Sequence, residues 1–465
     1  MTTVAAAAPR RSLVPGALAG PAWWPVAIAA TVVTALATTR SLQLGASFAI
    51  VVLALAVHAR SRSAGYVAMW LTWLLLPCLR RMLLVETGLS ESDPLAAVPF
   101  VVTAVIAAVE LWRGPLSRRA MWIMGAAAAG YLLGVPTGLA APSSMAFAFV
   151  AYLTGVLAFG LGYRETLSRP TLPRVLLASM PVLSIYGIFQ YFAPLPLWDK
   201  RWLGVTAFIT AHAPEDGKIR VWSTLNAPAT FAWLLALTII VYLVAGRFPL
   251  SRVVGLGLVL TALSLTYVRG AWVGLAAALV VLLVVSPMRA TPRIALVIGV
   301  IALGVPVLAA GTGTGSAITA RFNTLFNLGQ DTSAQQRLAT PKTIIPAAID
   351  APLGHGLGIA GEATRLNRGQ GLRAADNGLL ALVLQLGVAG MLLVLGAAAA
   401  GVRIAWLNVR HSARRADVLI FTALAFLSVV MLVGDVLFAI TGVIAWYLIG
   451  MAVARYEART EVRTG

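Results

Sequence analysis

The chain has 465 residues, of which 60% are hydrophobic and 11% are charged, and its mean hydropathy is +0.88. This composition excludes a soluble globular domain of ordinary make-up and indicates an integral membrane protein. The formal net charge of +19 does not require nucleic acid, because basic loops that face anionic lipid headgroups account for most of it.

Apolar runs of bilayer-spanning length predict an all-α polytopic membrane protein with about 14 transmembrane helices, in a range of roughly 12 to 14. In chain order the predicted spans are 22–39, 42–58, 64–79, 95–112, 120–135, 142–162, 172–192, 228–245, 253–266, 271–286, 294–310, 377–402, 418–433 and 436–454. They form a single transmembrane domain, residues 21–454, which lies between an N-terminal cytosolic tail, residues 1–20, and a basic cytosolic tail, residues 455–465.

The distribution of arginine predicts the orientation of these spans. Every connection on one side carries arginine, as the positive-inside rule requires of cytoplasmic loops. Both termini are therefore predicted to be cytoplasmic, with polar external loops at residues 80–94, 193–227 and 311–376. The last loop precedes the final three helices and is the longest interruption of the hydrophobic pattern, so we expect the chemistry to lie there.

Metal-binding and disulfide-forming residues are scarce. The chain has one cysteine, Cys78, and four histidines that are dispersed between the two sides. These residues cannot provide an intrachain disulfide or a zinc cluster. We predict chemistry without a metal and without a cofactor.

Arginines are frequent on the predicted outer side, where the positive-inside rule disfavours them, and this favours an anionic ligand such as a membrane-anchored pyrophosphate. Each of them has the alternative of contacting lipid headgroups or pairing with an acidic residue. Arg269 stands apart because it interrupts an apolar stretch from about residue 253 to 285, where an unsatisfied charge is costly. The alternative for Arg269 is an interfacial residue at the tip of a helical hairpin.

The segment Tyr267–Trp272 contains Arg-Gly-Ala-Trp and resembles a helix of the O-antigen ligase and O-antigen polymerase superfamily. Further segments agree with the family in order and placement: 184–191, 198–199, 220–228, 331–337, 351–358, 376–380 and 385–390. Each segment alone is weakly specific, but the ordered set resembles the family from about residue 184 to 390. The N-terminal half is similar mainly in topology.

The resemblance implies a glycosyltransferase of the bacterial cytoplasmic (inner) membrane whose active site faces the outside, or periplasm. Its donor would be a glycan on a polyprenyl pyrophosphate such as undecaprenyl pyrophosphate, its acceptor a glycan or lipid-linked glycan, and the reaction would invert the anomeric carbon without a metal. The diphosphate would be held by Arg220, Arg269 and Arg337, with Arg80 and Arg81 as second choices.

Asp376-Asn377 departs from the family, in which many members have His-Asn at this position. The resemblance implies that Asp376 accepts a proton from the acceptor hydroxyl or orients the sugar. Asp376 can equally be the N-cap of the following helix. His355 is the second candidate base, and its alternative is a turn histidine without a catalytic role.

Other functions stay open at this stage. We favour polymerisation or transfer of a cell-surface polysaccharide over ligation to lipid A core, because Asp replaces the ligase-like His; transfer to protein, as in a protein O-oligosaccharyltransferase, is a further alternative. An alternative of a different class is a polysaccharide or lipid transporter or flippase. A transporter would be expected to show paired, interrupted helices and an inverted repeat.

Overall fold

The computed structural model describes residues 39–83, 93–165, 170–205, 219–245, 249–286, 344–367, 377–412 and 414–464, together with residues 292, 294–295 and 341–342. The described residues form these helices: α1 (Thr39–Arg60), α2 (Arg62–Leu83), α3 (Val98–Trp112), α4 (Arg118–Leu133), α5 (Pro142–Arg164), α6 (Thr171–Phe192), α7 (Leu197–Val205), α8 (Pro228–Val244), α9 (Leu250–Leu265), α10 (Arg269–Val285), α11 (Gly378–Ser412), α12 (Arg415–Val430) and α13 (Ala439–Thr464). Short helical turns at Pro94–Ala97, Val135–Gly138 and Gly361–Asn367 connect some of them.

The all-α polytopic class is confirmed. Among the described residues, seven helices are long and apolar enough to cross a membrane, and α8, α9 and α10 are shorter apolar helices. Each predicted span coincides with a helix except 22–39 and 294–310, which lie almost wholly outside the described residues. The number of 14 spans therefore stays a prediction. Helix α13 continues to Thr464, through most of the segment that the sequence analysis assigned to a C-terminal tail.

Helix α8 forms the centre of the bundle. Every residue from Phe231 to Val244 is buried, and the helix packs against α6, α9, α10 and α12. An apolar surface around the whole circumference suits a helix that is enclosed by its neighbours. The segment that precedes Pro228 therefore leads directly into the centre of the helix bundle.

The end of the bundle predicted to be cytoplasmic is held by ion pairs. Glu110 Oε1 lies 3.0 Å from His58 Nε2, and Glu110 also pairs with Arg62. Asp417 Oδ1 lies 2.6 Å from Arg455 Nε. All of these residues belong to helix ends that the sequence analysis places on the inner side.

The opposite ends of the helices are joined by hydrogen bonds. Tyr191 and Tyr267 share a hydrogen bond of 2.8 Å between their hydroxyl oxygens, and the Gly378 N–H donates to the Met431 carbonyl at 2.9 Å. The alternating direction of the helices therefore agrees with the sequence analysis. Which end faces the cytoplasm stays a prediction.

Helix α11 is interrupted at Gly387, whose φ of 66° and ψ of −178° are not helical. The carbonyls before the break accept hydrogen bonds from a distant loop: His355 N–H donates to Leu384 at 2.8 Å, and Gly356 N–H donates to Gln385 at 3.1 Å. At a rise of about 1.5 Å per residue, the break lies roughly 13 Å from the start of α11. Part of the long polar segment therefore enters the bundle and fills this break.

Candidate functional site

The link between α12 and α13, residues 431–438, brings two predicted site segments together. The Gly378 N–H at the start of α11 bonds to Met431 in this link. A Cβ atom added to Gly270 would lie 2.6 Å from Val433 Cγ2, so the start of α10 also touches the link. Arg269-Gly270 and Asn377-Gly378 thus meet at one place at the predicted outer end.

Arg269 is the first residue of α10 and is half-buried. Val268, the N-cap residue, provides no side-chain hydrogen bond to the first turn. The positive end of the helix dipole therefore adds to the charge of the guanidinium. This arrangement favours an anion at the start of α10.

Arg220 approaches the same turn from another part of the chain. The N–H of its neighbour Val221 donates to the Leu265 carbonyl at 3.3 Å, four residues before Arg269. Arg220 is also half-buried. The structure thus places two of the predicted diphosphate ligands at the turn between α9 and α10.

Unusual backbone conformations surround this place. Among the described residues, the non-glycine residues with positive φ are Ser223, Tyr267 and Ala439, with φ of 56°, 54° and 50°. One follows Arg220, one precedes Arg269 and one follows the 431–438 link. Sparsely populated backbone conformations persist where the surrounding structure enforces them, and they cluster at functional sites.

Arg80 and Arg81, the second-choice ligands, both have carboxylate partners. Arg80 Nε donates to Asp93 Oδ2 at 3.0 Å. Arg81 Nε lies 3.1 Å from Asp199 Oδ1, and both side chains are fully buried. Their role as ligands stays a prediction, and the contacts describe a different use of the two charges.

His355 is exposed, and its ring contacts a backbone carbonyl. The Nε2 atom lies 3.0 Å from the Ala347 oxygen. A carbonyl only accepts, so Nε2 carries the proton in this contact. Nδ1 is then the ring atom of His355 that can accept a proton.

The N-cap of α11 is Asn377. Its Oδ1 accepts from the N–H groups of Leu379 at 2.9 Å and Leu380 at 3.3 Å. The amide side chain of Asn377 therefore provides helix-capping bonds of the kind that the sequence analysis offered to Asp376. Asp376 and Arg337 themselves lie outside the described residues, and their site roles stay predictions.

Asp435, in the 431–438 link, is an acidic residue that the sequence analysis did not select. Its Oδ2 accepts a hydrogen bond from the Tyr152 hydroxyl. The Tyr152 oxygen in turn accepts from Gln385 Nε2 at 3.1 Å, and Gln385 Oε1 accepts from the Gly358 N–H at 2.9 Å. A chain of hydrogen bonds therefore connects the link, α5, α11 and the loop that fills the helix break.

A sequence signal for Asp435 existed. It stands between the apolar runs 418–433 and 436–454, which leave too little chain for an exposed loop. An ionisable residue in such a place is a functional candidate by default.

Burial raises the pKa of Asp435 to about 6, although the hydrogen bonds from Tyr152 and from the Leu437 N–H lower it. Asp435 lies between helices, in the link that touches Gly378. A carboxyl group that titrates near neutral pH is suited to exchange a proton.

The cations described at this end of the protein are arginine and lysine side chains. No group of three His, Cys, Asp or Glu side chains in the described part of the chain is placed to hold a metal ion. The metal-independence of the chemistry stays a prediction.

Comparison with known proteins gives a family for the region that contains Arg269. Residues 254–395 match the family model described as O-Antigen ligase. The matched region begins in α9 and extends into α11 beyond its break. No curated protein matches the chain. The match over residues 254–395 confirms the resemblance to the O-antigen ligase and polymerase superfamily that was drawn from the sequence motifs.

Proposed function

We propose that the protein is a glycosyltransferase of the bacterial cytoplasmic membrane that transfers or polymerises an oligosaccharide from a polyprenyl-pyrophosphate donor at the outer face. One observation carries this proposal. Within a region that matches the O-antigen ligase family, the Arg269 turn meets both the Arg220 segment and, through the 431–438 link, the start of α11.

The proposed reaction is a single displacement. The acceptor hydroxyl oxygen forms a bond to the anomeric carbon while the bond from that carbon to the pyrophosphate oxygen breaks, which inverts the configuration. The electron pair leaves with the diphosphate, and Arg220 and Arg269 stabilise the charge that develops there, together with Arg337. Such stabilisation is stronger beside the low-dielectric membrane than in water.

The hydroxyl proton passes to a carboxylate in this mechanism. Asp376 is the preferred proton acceptor. It directly precedes Asn377, which already provides the helix cap. Asp435 is a second carboxylate beside the start of α11. His355 is the other candidate base, since its Nδ1 can accept a proton while Nε2 donates to Ala347.

The acceptor divides the proposal into a polymerase and a ligase. We favour polymerisation or transfer of a cell-surface polysaccharide, because the family's His is replaced by Asp376. Ligation to lipid A core and transfer to protein are the alternatives, and they differ only in the molecule that supplies the hydroxyl.

A transporter or flippase is the rival of a different class. The interruption of α11 at Gly387 is a feature that transporters share. Transporters are expected to have such breaks in pairs of helices. Among the helices in the described part of this chain, α11 alone is interrupted by a residue with non-helical backbone angles. The loop that fills the break also belongs to the polar segment of the family-matched region.

Reconstitution tests the proposal directly. Purified protein in liposomes should convert a polyprenyl-pyrophosphate oligosaccharide into longer or transferred glycans and free polyprenyl pyrophosphate, and it should do so in EDTA. Movement of the intact lipid-linked glycan across the bilayer without product would favour the transporter. Loss of transfer in EDTA that Mg²⁺ restores would contradict metal-independence alone.

A further inference from the structure

Arg81 lies at the outer end of α2 and is completely buried. Its Nη2 donates to the Ser223 carbonyl at 2.8 Å, and its Nη1 contacts the Asn226 Oδ1 at 3.3 Å and the Leu225 carbonyl. The guanidinium thus donates to three residues of one segment, at positions 223, 225 and 226. That segment begins with Arg220.

Asp199 supplies the counter-charge from α7. It is completely buried, with Oδ1 at 3.1 Å from Arg81 Nε. Its Oδ2 accepts from the Tyr186 hydroxyl at 2.7 Å and from Gln190 Nε2 at 2.8 Å. A buried ion pair whose remaining atoms are hydrogen-bonded is one in which neither partner can be removed without leaving a buried charge.

Gln190 connects Asp199 to the Arg220 segment through a second set of hydrogen bonds. Its Oε1 accepts from the Ser223 N–H at 2.7 Å, and its Nε2 also reaches the Ser223 carbonyl at 3.2 Å. Ser223 has a φ of 56°, a conformation that is costly for a residue with a Cβ atom. The contacts from Arg81 and Gln190 hold this residue in that conformation.

We propose that Arg81 and Asp199 are positioning residues that hold Arg220 in place for the lipid-linked diphosphate, without contacting the diphosphate themselves. This inference rests on the proposed function of Arg220. It assigns Arg81 a role that differs from that of a ligand, because the donors a ligand would present to phosphate are directed at backbone carbonyls of the Arg220 segment. A displacement of a binding group by about 1 Å is enough to weaken transition-state contacts substantially.

Arg455 provides a matched control from the opposite end of the bundle. Its Nε donates to Asp417 Oδ1 at 2.6 Å, and both side chains are buried. Asp417 lies in the first turn of α12, whereas the other end of α12 leads into the 431–438 link. The pair therefore lies about a helix length away from the Arg220 segment, and its replacement should be independent of Arg220.

A double-mutant cycle on polyprenyl pyrophosphate binding tests the inference. Arg81→Lys and Asp199→Asn should each weaken binding by about tenfold, but neither should weaken it further in an Arg220→Ala background. Arg455→Lys should have the same effect with or without Arg220→Ala. If the losses from Arg81→Lys and Arg220→Ala multiply, Arg81 acts independently of Arg220 and the inference is wrong.

Cys78 supplies a readout that needs neither binding nor turnover. It is the single cysteine of the chain, it is half-buried on α2, and its thiol lies beside Arg81 and Tyr186. Asp199→Asn should accelerate maleimide labelling of Cys78 severalfold while the melting temperature shows a folded protein, and Arg455→Lys should not. Unchanged labelling in Asp199→Asn would contradict the inference. A wild-type protein that binds polyprenyl pyrophosphate yet transfers no glycan would contradict the proposed function instead.

Discussion

The proposed function requires the positive charge of Arg269, at the first turn of α10, to stabilise the diphosphate that leaves. Arg269→Ala should therefore reduce glycan transfer by at least about a hundredfold, the loss expected when a preorganised donor to a developing charge is removed. Arg269→Lys should retain part of the activity, because an ammonium keeps the charge but lacks the planar fork. Initial rates in proteoliposomes with equal amounts of inserted protein measure both effects.

Arg201→Ala is the control for Arg269, since Arg201 is an exposed arginine on α7. It should leave transfer close to the wild-type rate. Near-normal turnover in Arg269→Ala would remove Arg269 from the site, whatever the family match.

Ionisation of the Asp435 carboxyl destabilises the folded protein, and this residue lies beside the proposed site. Burial raises its pKa to about 6, above the value of about 3.9 in an unfolded chain, so the folded state binds this proton more tightly. The free energy of unfolding should therefore decline as the pH rises from about 4 through about 6. Asn keeps an acceptor for Tyr152 and removes the charge.

Asp435→Asn should accordingly be more stable than the wild type at pH 8, by an amount on the order of 1 kcal/mol, and the difference should shrink towards pH 5. Transfer at pH 8 should fall in the same variant, because the amide of Asn cannot accept the proton that the proposed mechanism gives to a carboxylate. Thermal unfolding in detergent and transfer rates at both pH values measure the two effects. A variant that is less stable at pH 8 would show that the charge supports the fold.

Residue types and order predict the arginines of the site but not their partners. Arg81 was a plausible ligand in the sequence because its partner Asp199 lies on another helix, far along the chain. The same limit applies to Asn377, whose capping bonds replace those expected of Asp376. A sequence pattern identifies which side chains can bind an anion, whereas long-range packing decides which of them are already occupied.

At the scale of elements, the break in α11 is the feature that shapes the site most directly. Gly387 has a positive φ of 66°, and a Cβ atom added there would lie 2.1 Å from the Pro352 carbonyl oxygen. Gly387→Ala should destabilise the protein by roughly 1–3 kcal/mol and displace the loop that contains His355. Thermal unfolding and proteolysis of this loop report the two effects.

Gly396 lies in the same helix and offers a matched comparison. A Cβ atom added to it would meet nothing within 4 Å, so Gly396→Ala should be neutral or stabilise the helix by up to about 1 kcal/mol. An equal response at the two glycines would show that the break does not depend on the conformation of Gly387.

The helices themselves could be predicted from hydropathy, but this break could not. A backbone inside the bilayer must satisfy its own hydrogen bonds, so apolar runs of sufficient length become helices. Residues 385–390 read as part of one such run. The carbonyls freed at the break are satisfied by His355 and Gly356, and no local pattern reveals a partner that comes from a distant loop.

At the scale of the whole molecule, the site exists because alternating helices bring remote segments to one end of the bundle. Arg220, Arg269 and Asp435 belong to three separate connections. Their placement on one side follows from the predicted alternation of the spans, and the contacts between the opposite helix ends agree with that alternation. The contact between the start of α11 and the 431–438 link depends on packing between helices, so it appears only in the structure.

The side of the membrane on which these segments lie is testable by labelling, because arginine in every predicted inner connection fixes the expected orientation. In a Cys78→Ala background, Ser316→Cys and Glu362→Cys should react with an impermeant maleimide added to intact cells. Ser412→Cys, at the inner end of α11, should react only after the membrane is opened. Labelling of Ser412→Cys in intact cells would place the Arg269 turn on the cytoplasmic side, where a lipid-linked donor on the outer face could not reach it.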